Sequence, residues 1–522
     1  MACKPAPGSP TPDEPAPGCP APDGPAGGSP ALDGSAPHIP ASATPAADSL
    51  HERHYSLLTA LCMIVGVCIG SGIYFKADNV LVATGGSVGL GVAMFCIASV
   101  VIVFGGLTLS VYAARGEGAG GLLSYADDYL PAPLARAFNW NFAVLYLPVI
   151  SAVLSWVVGV YFCLVFGLGG GFWAQMGVGL VFFCLCVCWN VLWPRASGWF
   201  QNATTFIKVL PLLAVGVAGM ALGGGHAADD ATALGASAAQ ATGAAALGGL
   251  AWLTAAAPIA FSFAGWSMST GIAPELRDSR RNLPRALVVA PLVVLALYLA
   301  YFVGLSAVLG PATVVETGDG SLGMFFARLF GPGAETLPNV VALVSVMGSA
   351  NGVILAMLRM PYALALRGDF PFARRVATVS PSLRFPLWSA VAAAGMTLLW
   401  MAAHAAVTTL QLIPNGDLSE VSVAFNMVLL CALFARVPML WREGRAARDD
   451  GGAAPRVGAL RGVVAPAVAV VGSLFVGGSA LLSPSRWPFV ALYVAILVAL
   501  GVWRARSGKA GSNGAGVEKG EA

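Results

Sequence analysis

Charge is what this chain has least of. Only 10% of its 522 residues are Asp, Glu, Lys or Arg while 57% are hydrophobic, against roughly 25% charged in an average soluble domain. So little charge excludes an ordinary water-soluble fold and gives a membrane composition. The formal net charge of +3 is too small to suggest a nucleic-acid partner. There are only five histidines, and His, Asp and Glu form no cluster at one membrane face, which argues against an enzyme. Eight of the ten cysteines fall in or beside apolar stretches and two in the N-terminal tail, so no framework of loop disulfides is indicated. Cys184, Cys186 and Cys188 alternate at a spacing that suits a metal site poorly. Gly116, Gly118 and Gly121 match G-x-G-x-x-G but follow an apolar helix and no strand, so they do not call for a dinucleotide or any other cofactor.

What the chain does have is long apolar runs. About 20 mostly apolar residues span a bilayer, and twelve such segments are predicted, near 56–83, 88–112, 136–166, 172–192, 202–222, 249–273, 284–310, 337–366, 386–407, 417–440, 458–482 and 487–505. Sorting Lys and Arg by alternate loops puts sixteen on one side, from Arg115 to Arg461, and three on the other: Lys76, Arg328 and Arg486. The positive-inside rule then places both termini in the cytoplasm, for an integral protein of the plasma (inner) membrane.

Residues 1–50 are rich in Pro, Ala and Gly and cannot bury a core. They lack the basic start, apolar run and cleavage site of a secretory signal. Five spans over 51–222 precede an Ala/Gly-rich outer linker at 223–248, five more occupy 249–440, a loop and two spans occupy 441–506, and a polar tail occupies 507–522.

The first span carries Gly66, Ile69, Gly70, Ser71 and Gly72 at mid-depth, where glycine weakens a helix by roughly 1 kcal/mol relative to alanine. Unpaired backbone is tolerated at that depth only inside protein or along a cavity. Gly66 and Gly70 also form a small-residue packing face. Five spans later Pro258, Gly265 and Gly271 interrupt the sixth span. An odd shift inverts the second half, so the two interruptions would meet near the midplane, as in the leucine-transporter-type fold.

The motif Gly70-Ser71-Gly72-Ile73-Tyr74-Phe75, with Phe261 to Trp266, Pro274 to Ala286, Gly348 to Gly352, Arg359 to Ala363 and Asp369-Phe370-Pro371, resembles the amino acid–polyamine–organocation superfamily, in particular its amino acid permeases and L-type transporters. The resemblance covers most of spans one to ten. It implies an all-α polytopic carrier with a 5+5 inverted repeat and spans 11–12 at the periphery. It implies further that amides around Gly70, Ser71 and Gly72 take a substrate carboxylate, while carbonyls of Ile69, Phe261 and Ala264, beside Gly265, take its ammonium. Phe261 would be the gate, with Trp266 bracing the unwound segment. Lys208 reads as the only charged residue well inside a span; by resemblance its ammonium stands where sodium-driven relatives hold their ion, next to Ser349. Snorkelling to the interface is the alternative for Lys208.

The function expected is therefore amino acid transport by alternating access, with protons as the coupling ion and the lipid bilayer as surroundings. Obligatory exchange is the alternative energetics, and a non-transporting amino acid sensor the alternative class, although neither tail could fold as a sensor domain. Ser262, Ala264, Ser267 and Ser269 hint at a small pocket for neutral amino acids such as Ser, Thr or Ala. The outer loop Gly167 to Phe172 has no cysteine, so no obligatory covalent heavy-chain partner is expected. The cytoplasmic arginines read as topology determinants, with pairing to Glu275 or Asp278 in an inner gate as the alternative. Asp127 and Asp128 read as a solvated loop face, and His404 as a packing residue.

Overall fold

The computed structural model describes residues 56–115, 121–222, 252–267, 270, 276–334, 336–383, 385–414, 417–449 and 457–514. The N-terminal tail, the 223–248 linker, Ser269, Gly271 and the Pro274-Glu275 pair lie outside the described residues. Among those described, ten helices are long and apolar enough to cross a membrane. An eleventh candidate is a bent pair, in which residues 76–83 are turned 61° from residues 60–74. The expected sixth span contributes a shorter apolar helix over Trp252–Ser262.

In chain order the helices are α1 (Leu57–Cys68), α2 (Ser71–Ala83), α3 (Val88–Arg115), α4 (Leu122–Tyr129), α5 (Ala132–Trp140), α6 (Leu147–Phe166), α7 (Phe172–Leu192), α8 (Pro194–Leu222), α9 (Ala256–Ser262) and α10 (Ser279–Leu309). They continue with α11 (Pro311–Thr317), α12 (Ser321–Phe330), α13 (Thr336–Leu366), α14 (Ala373–Val376), α15 (Leu387–Thr409), α16 (Leu418–Asp449), α17 (Ala465–Leu481) and α18 (Trp487–Gly514). A π-helical turn over Asn141–Tyr146 joins α5 to α6. The last helix runs past Ser507, where a polar tail was expected.

Lipid is as apolar as leucine, so these helices associate through close packing and internal hydrogen bonds. α8 and α10 touch so closely that a β-carbon on Gly219 would lie 2.1 Å from Gly304 Cα. Leu185, Val217 and Leu399 instead turn outward, as lipid-facing flanks do. α17 packs on the bundle through Gly472, which lies against Val101 of α3, while α18 faces outward.

The end of the bundle that holds Asp127 and Asp369 is more connected than the sequence suggests. Asp127 is no solvated face, because Arg367 sits 2.6 Å from Oδ2 and Asn139 donates to Oδ1 at 2.7 Å. Arg504 likewise pairs with Asp369 at 2.8 Å. The Asp278 carbonyl accepts the Arg281 and Asn282 amides at the start of α10. His404 is buried with its ring centre 4.8 Å from that of Trp156, a packing position.

Between α11 and α12, Asp319 stands in a turn beside Asp78 of α2; a β-carbon on Gly318 would lie 3.7 Å from Asp78 Oδ2. Burial and the Asp78 carboxylate push the Asp319 carboxyl up to about 8, whereas an unfolded Asp titrates near 4. The folded state therefore binds this proton more tightly, and stability falls as pH rises from about 4 towards 8. Asp319→Asn should remove that slope: in melting of the detergent-solubilised protein, its advantage over the unsubstituted chain should grow between pH 5 and pH 9. A constant difference across that range would show that Asp319 ionises normally.

Candidate functional site

Helix α1 stops at Cys68 and α2 begins at Ser71, with Gly70 at φ −140° and ψ −136° between them. No side chain caps α2. Its first-turn amides lack intrahelical acceptors, and the helix dipole makes this end attractive to an anion. The second break follows α9, where Phe263, Ala264 and Gly265 form a turn. Gly265 has φ +96°, which disfavours any side chain, and a β-carbon there would lie 2.3 Å from Val67 Cγ1 of α1. A β-carbon on Gly72 would in turn lie 2.4 Å from Ser262 Cα. The glycines thus serve both readings at once: they let the two broken helices touch, and Gly70, Gly72 and Gly265 line one cavity.

That cavity is lined by Val67 and Cys68 of α1, Gly70, Gly72, Phe261, Ala264, Gly265, Ser349 and Val353, with Tyr146, Ile150 and Leu154 bordering it from the third span. Its lining is predominantly apolar apart from backbone groups, Cys68, Tyr146 and Ser349. Ile69 does not line it; the Ile69 carbonyl accepts from the Ser349 hydroxyl at 3.3 Å. The Phe261 carbonyl accepts the Ala264 amide at 2.8 Å. Each oxygen keeps a second lone pair for a substrate ammonium. Trp266 is buried, close against Gly105 of α3.

Lys208 does not snorkel. It is fully buried on α8 and donates to the Gly66 carbonyl and, at 2.9 Å, to Ser349 Oγ. Its own carbonyl accepts the Tyr74 hydroxyl at 2.8 Å. One ammonium thereby ties α1, α8 and α13 together next to the first break. It is not, however, the only charge inside the spans: Lys76 and Glu420 are 1% exposed.

Sequence reasoning missed Tyr298 of α10, whose hydroxyl lies 2.7 Å from both the Cys68 and Ser262 carbonyls and so joins the ends of the two broken helices. Its one proton serves one carbonyl at a time. A tyrosine in an otherwise apolar span was the available signal, since buried tyrosine hydroxyls need partners. Lys76, Asp417, Glu420 and Arg486 were missed as a group because loop sorting treated Lys76 and Arg486 as exposed.

Two broken helices meeting around a small cavity, within a polytopic helical bundle, are the arrangement of a membrane transporter's binding site. The profile of the amino acid permease family matches residues 55–478, and the chain belongs to that family of transporters; it is not an enzyme. The chain is 28% identical over 434 residues to the serine/threonine exchanger SteT of Bacillus subtilis, covering 83% of this chain and 92% of that protein. It is 25% identical over 328 residues to mouse b(0,+)-type amino acid transporter 1, covering 61% and 63% respectively. Among solved structures, MhsT in complex with L-phenylalanine superposes with a TM-score of 0.54 at 15% identity, over 82% of this chain and 99% of that one, a likeness of fold.

Proposed function

We propose that this permease is a sodium-independent carrier of small neutral amino acids, working by alternating access with proton-coupled uptake. The observation that carries the reading is Lys208, whose ammonium is buried beside the first break and held by Gly66 and Ser349. In this reading twelve spans form two inverted repeats of five plus a final pair, both termini are cytoplasmic, and the membrane is the plasma (inner) membrane. The carboxylate sits at the α2 amides of Ser71 and Gly72, and the ammonium at the carbonyls of Ile69, Phe261 and Ala264, so that no protein charge is needed at the zwitterion. A small side chain suits the narrow cavity beside Ala264 and Gly265. Cys163 is buried and offers no covalent link to a partner.

Obligatory exchange is the second reading, favoured by the similarity to a serine/threonine exchanger. Proteoliposomes separate the two. Uptake of radiolabelled serine into vesicles without internal amino acid, driven by outside acid, supports proton coupling; uptake that requires internal serine and ignores the pH gradient supports exchange. A thermal-shift screen against the twenty amino acids identifies the ligand, because a compound that binds only the folded state raises apparent stability.

Phe261 lines the cavity with its side chain almost wholly buried. A lid acts after the substrate has docked, so Phe261→Ala should lower transport more than equilibrium affinity. Equal losses of both would make Phe261 part of the pocket wall.

A further inference from the structure

Gly318, Asp319 and Gly320 form the turn between α11 and α12, and this turn rests on α2 and on α6. Its shape is fixed locally: the Ser321 hydroxyl donates to the Gly318 carbonyl at 2.6 Å and lies 2.9 Å from the Thr317 hydroxyl. The turn comes so close to α2 that a β-carbon on Gly318 would stand 3.7 Å from Asp78 Oδ2. Asp319 and Asp78 are both half-buried, and the Asp78 carboxylate is the charge that acts on Asp319 most.

Two carboxyls placed together cannot both ionise freely; they need a cation or a proton between them. The nearby cations are already engaged. The Lys76 ammonium, two positions before Asp78, stands 2.8 Å from both Asp417 Oδ2 and Glu420 Oε1, and Arg486 reaches Glu420 Oε2 at 2.6 Å. Those two cations and two anions balance, so the pull of Lys76 on Asp319 is offset by the push of Asp417. Asp78 and Asp319 are left over, and neither forms an ion pair among the described residues. Arg328 of α12 donates instead to the Leu309 carbonyl, and Glu316 of α11 is exposed. The other titratable groups facing the pair are tyrosines: Tyr161 of α6, which both carboxylates act on, and Tyr301 of α10, which Asp78 acts on. Both hydroxyls are fully buried and have no hydrogen-bond partner among the described residues. A neutral hydroxyl can donate to a carboxylate but brings no positive charge.

We propose that Asp78 and Asp319 bind one proton between them, and that this shared proton docks the turn between α11 and α12 onto α2. The proton joins the carboxyls as an O–H···O⁻ bond, the short, charge-assisted kind. Without it two anions face each other across the contact and push the turn away. α2 carries the Gly72 end of the broken span, and its Tyr74 hydroxyl donates to the Lys208 carbonyl at 2.8 Å, so the docked turn steadies the helix that borders the cavity. The proton site itself stands whatever Lys208 does in transport.

Counting protons tests it. Each proton that the folded state holds and the unfolded state lacks changes the folding equilibrium by about tenfold per pH unit. In equilibrium unfolding of the purified protein in mixed micelles, the stability of the unsubstituted chain relative to the double variant Asp78→Asn/Asp319→Asn should fall as pH rises, by at most about tenfold per unit. Asp78→Asn and Asp319→Asn should each flatten the curve fully, because an amide beside a carboxylate keeps the hydrogen bond and needs no proton; the double variant should be no flatter. Should one single variant fail to fold, the other decides. Hydrogen exchange over residues 311–330, corrected for its intrinsic pH dependence, should quicken above about pH 8 in the unsubstituted chain but in neither variant. The slope should persist in Lys208→Met, which keeps this site apart from the role assigned to Lys208. Single variants that each keep half the slope, or a slope approaching about a hundredfold per unit, would mean two independent carboxyls and overturn the shared proton. A gain in stability when calcium or sodium is added in alkaline buffer would give the site to a metal cation and overturn it equally.

Discussion

Replacing Gly72 with leucine will abolish uptake and erase any substrate-induced thermal shift. The reason is steric and acts twice. A β-carbon at Gly72 would lie 2.4 Å from the Cα of Ser262, which is backbone and cannot swing aside. α2 and α9 must separate, and the Ser262 hydroxyl that donates to the Gly72 carbonyl at 2.8 Å loses its acceptor. The same residue lines the cavity, so the added side chain also obstructs the α2 amides to which the carboxylate is assigned. Overpacking costs about 1–3 kcal/mol and more when backbone must move, so the melting temperature should fall as well as the affinity. Gly72→Ala places its one carbon against the same atom and should show a weaker form of both losses. Size-exclusion chromatography, melting and radioligand binding on the two variants check this. Full binding by Gly72→Leu would show that the carboxylate does not approach here.

The two breaks were legible in the sequence because glycine and proline interrupt apolar runs only where something takes up the freed backbone groups. Gly70 and Gly265 indeed stand at ends of helix, and both line the cavity. What could not be read was which groups answer them across the chain. Tyr298 reaches Cys68 from 230 positions away, and Lys76 reaches Asp417 from 341. Such partners are fixed by the three-dimensional packing of helices whose sequences carry no mutual signal. Loop sorting misled for Lys76 because it counts a lysine near a span's end as exposed, whereas α2 runs on to Ala83 and keeps Lys76 inside the bundle. Asp127 misled for a similar reason: its partner Arg367 belongs to a loop 240 positions later. Lys208 was singled out in the sequence because an intramembrane charge seldom persists without partners, and the snorkelling alternative could be dismissed only once Gly66 and Ser349 were seen at its ammonium.

Lys208 also bears the prediction that decides what drives the cycle. A buried ammonium is tolerable only where acceptors replace water, and here the Gly66 carbonyl and the Ser349 hydroxyl do so. Both acceptors belong to helices that flank the first break, so any movement that opens the cavity to one side changes the company of the ammonium. A lysine in that position can release and regain a proton once per cycle, or remain charged as a fixed cation. Under either arrangement sodium is superfluous, and uptake into proteoliposomes should be unchanged when choline replaces it. Proton coupling further predicts that uptake rises when the outside is acidified. Lys208→Met, which keeps much of the volume while removing the charge, should abolish that pH response and lower uptake by at least about tenfold, the factor that corresponds to 1.4 kcal/mol on the barrier. It should also lower stability, because the Gly66 carbonyl loses a buried donor at a cost of about 1–3 kcal/mol. Exchange would leave counterflow intact in the absence of any proton gradient. Strict dependence of the unmodified protein on sodium would refute the assignment of Lys208 to the cation position. Unaltered uptake and pH response in Lys208→Met would reduce it to a strut between α1, α8 and α13.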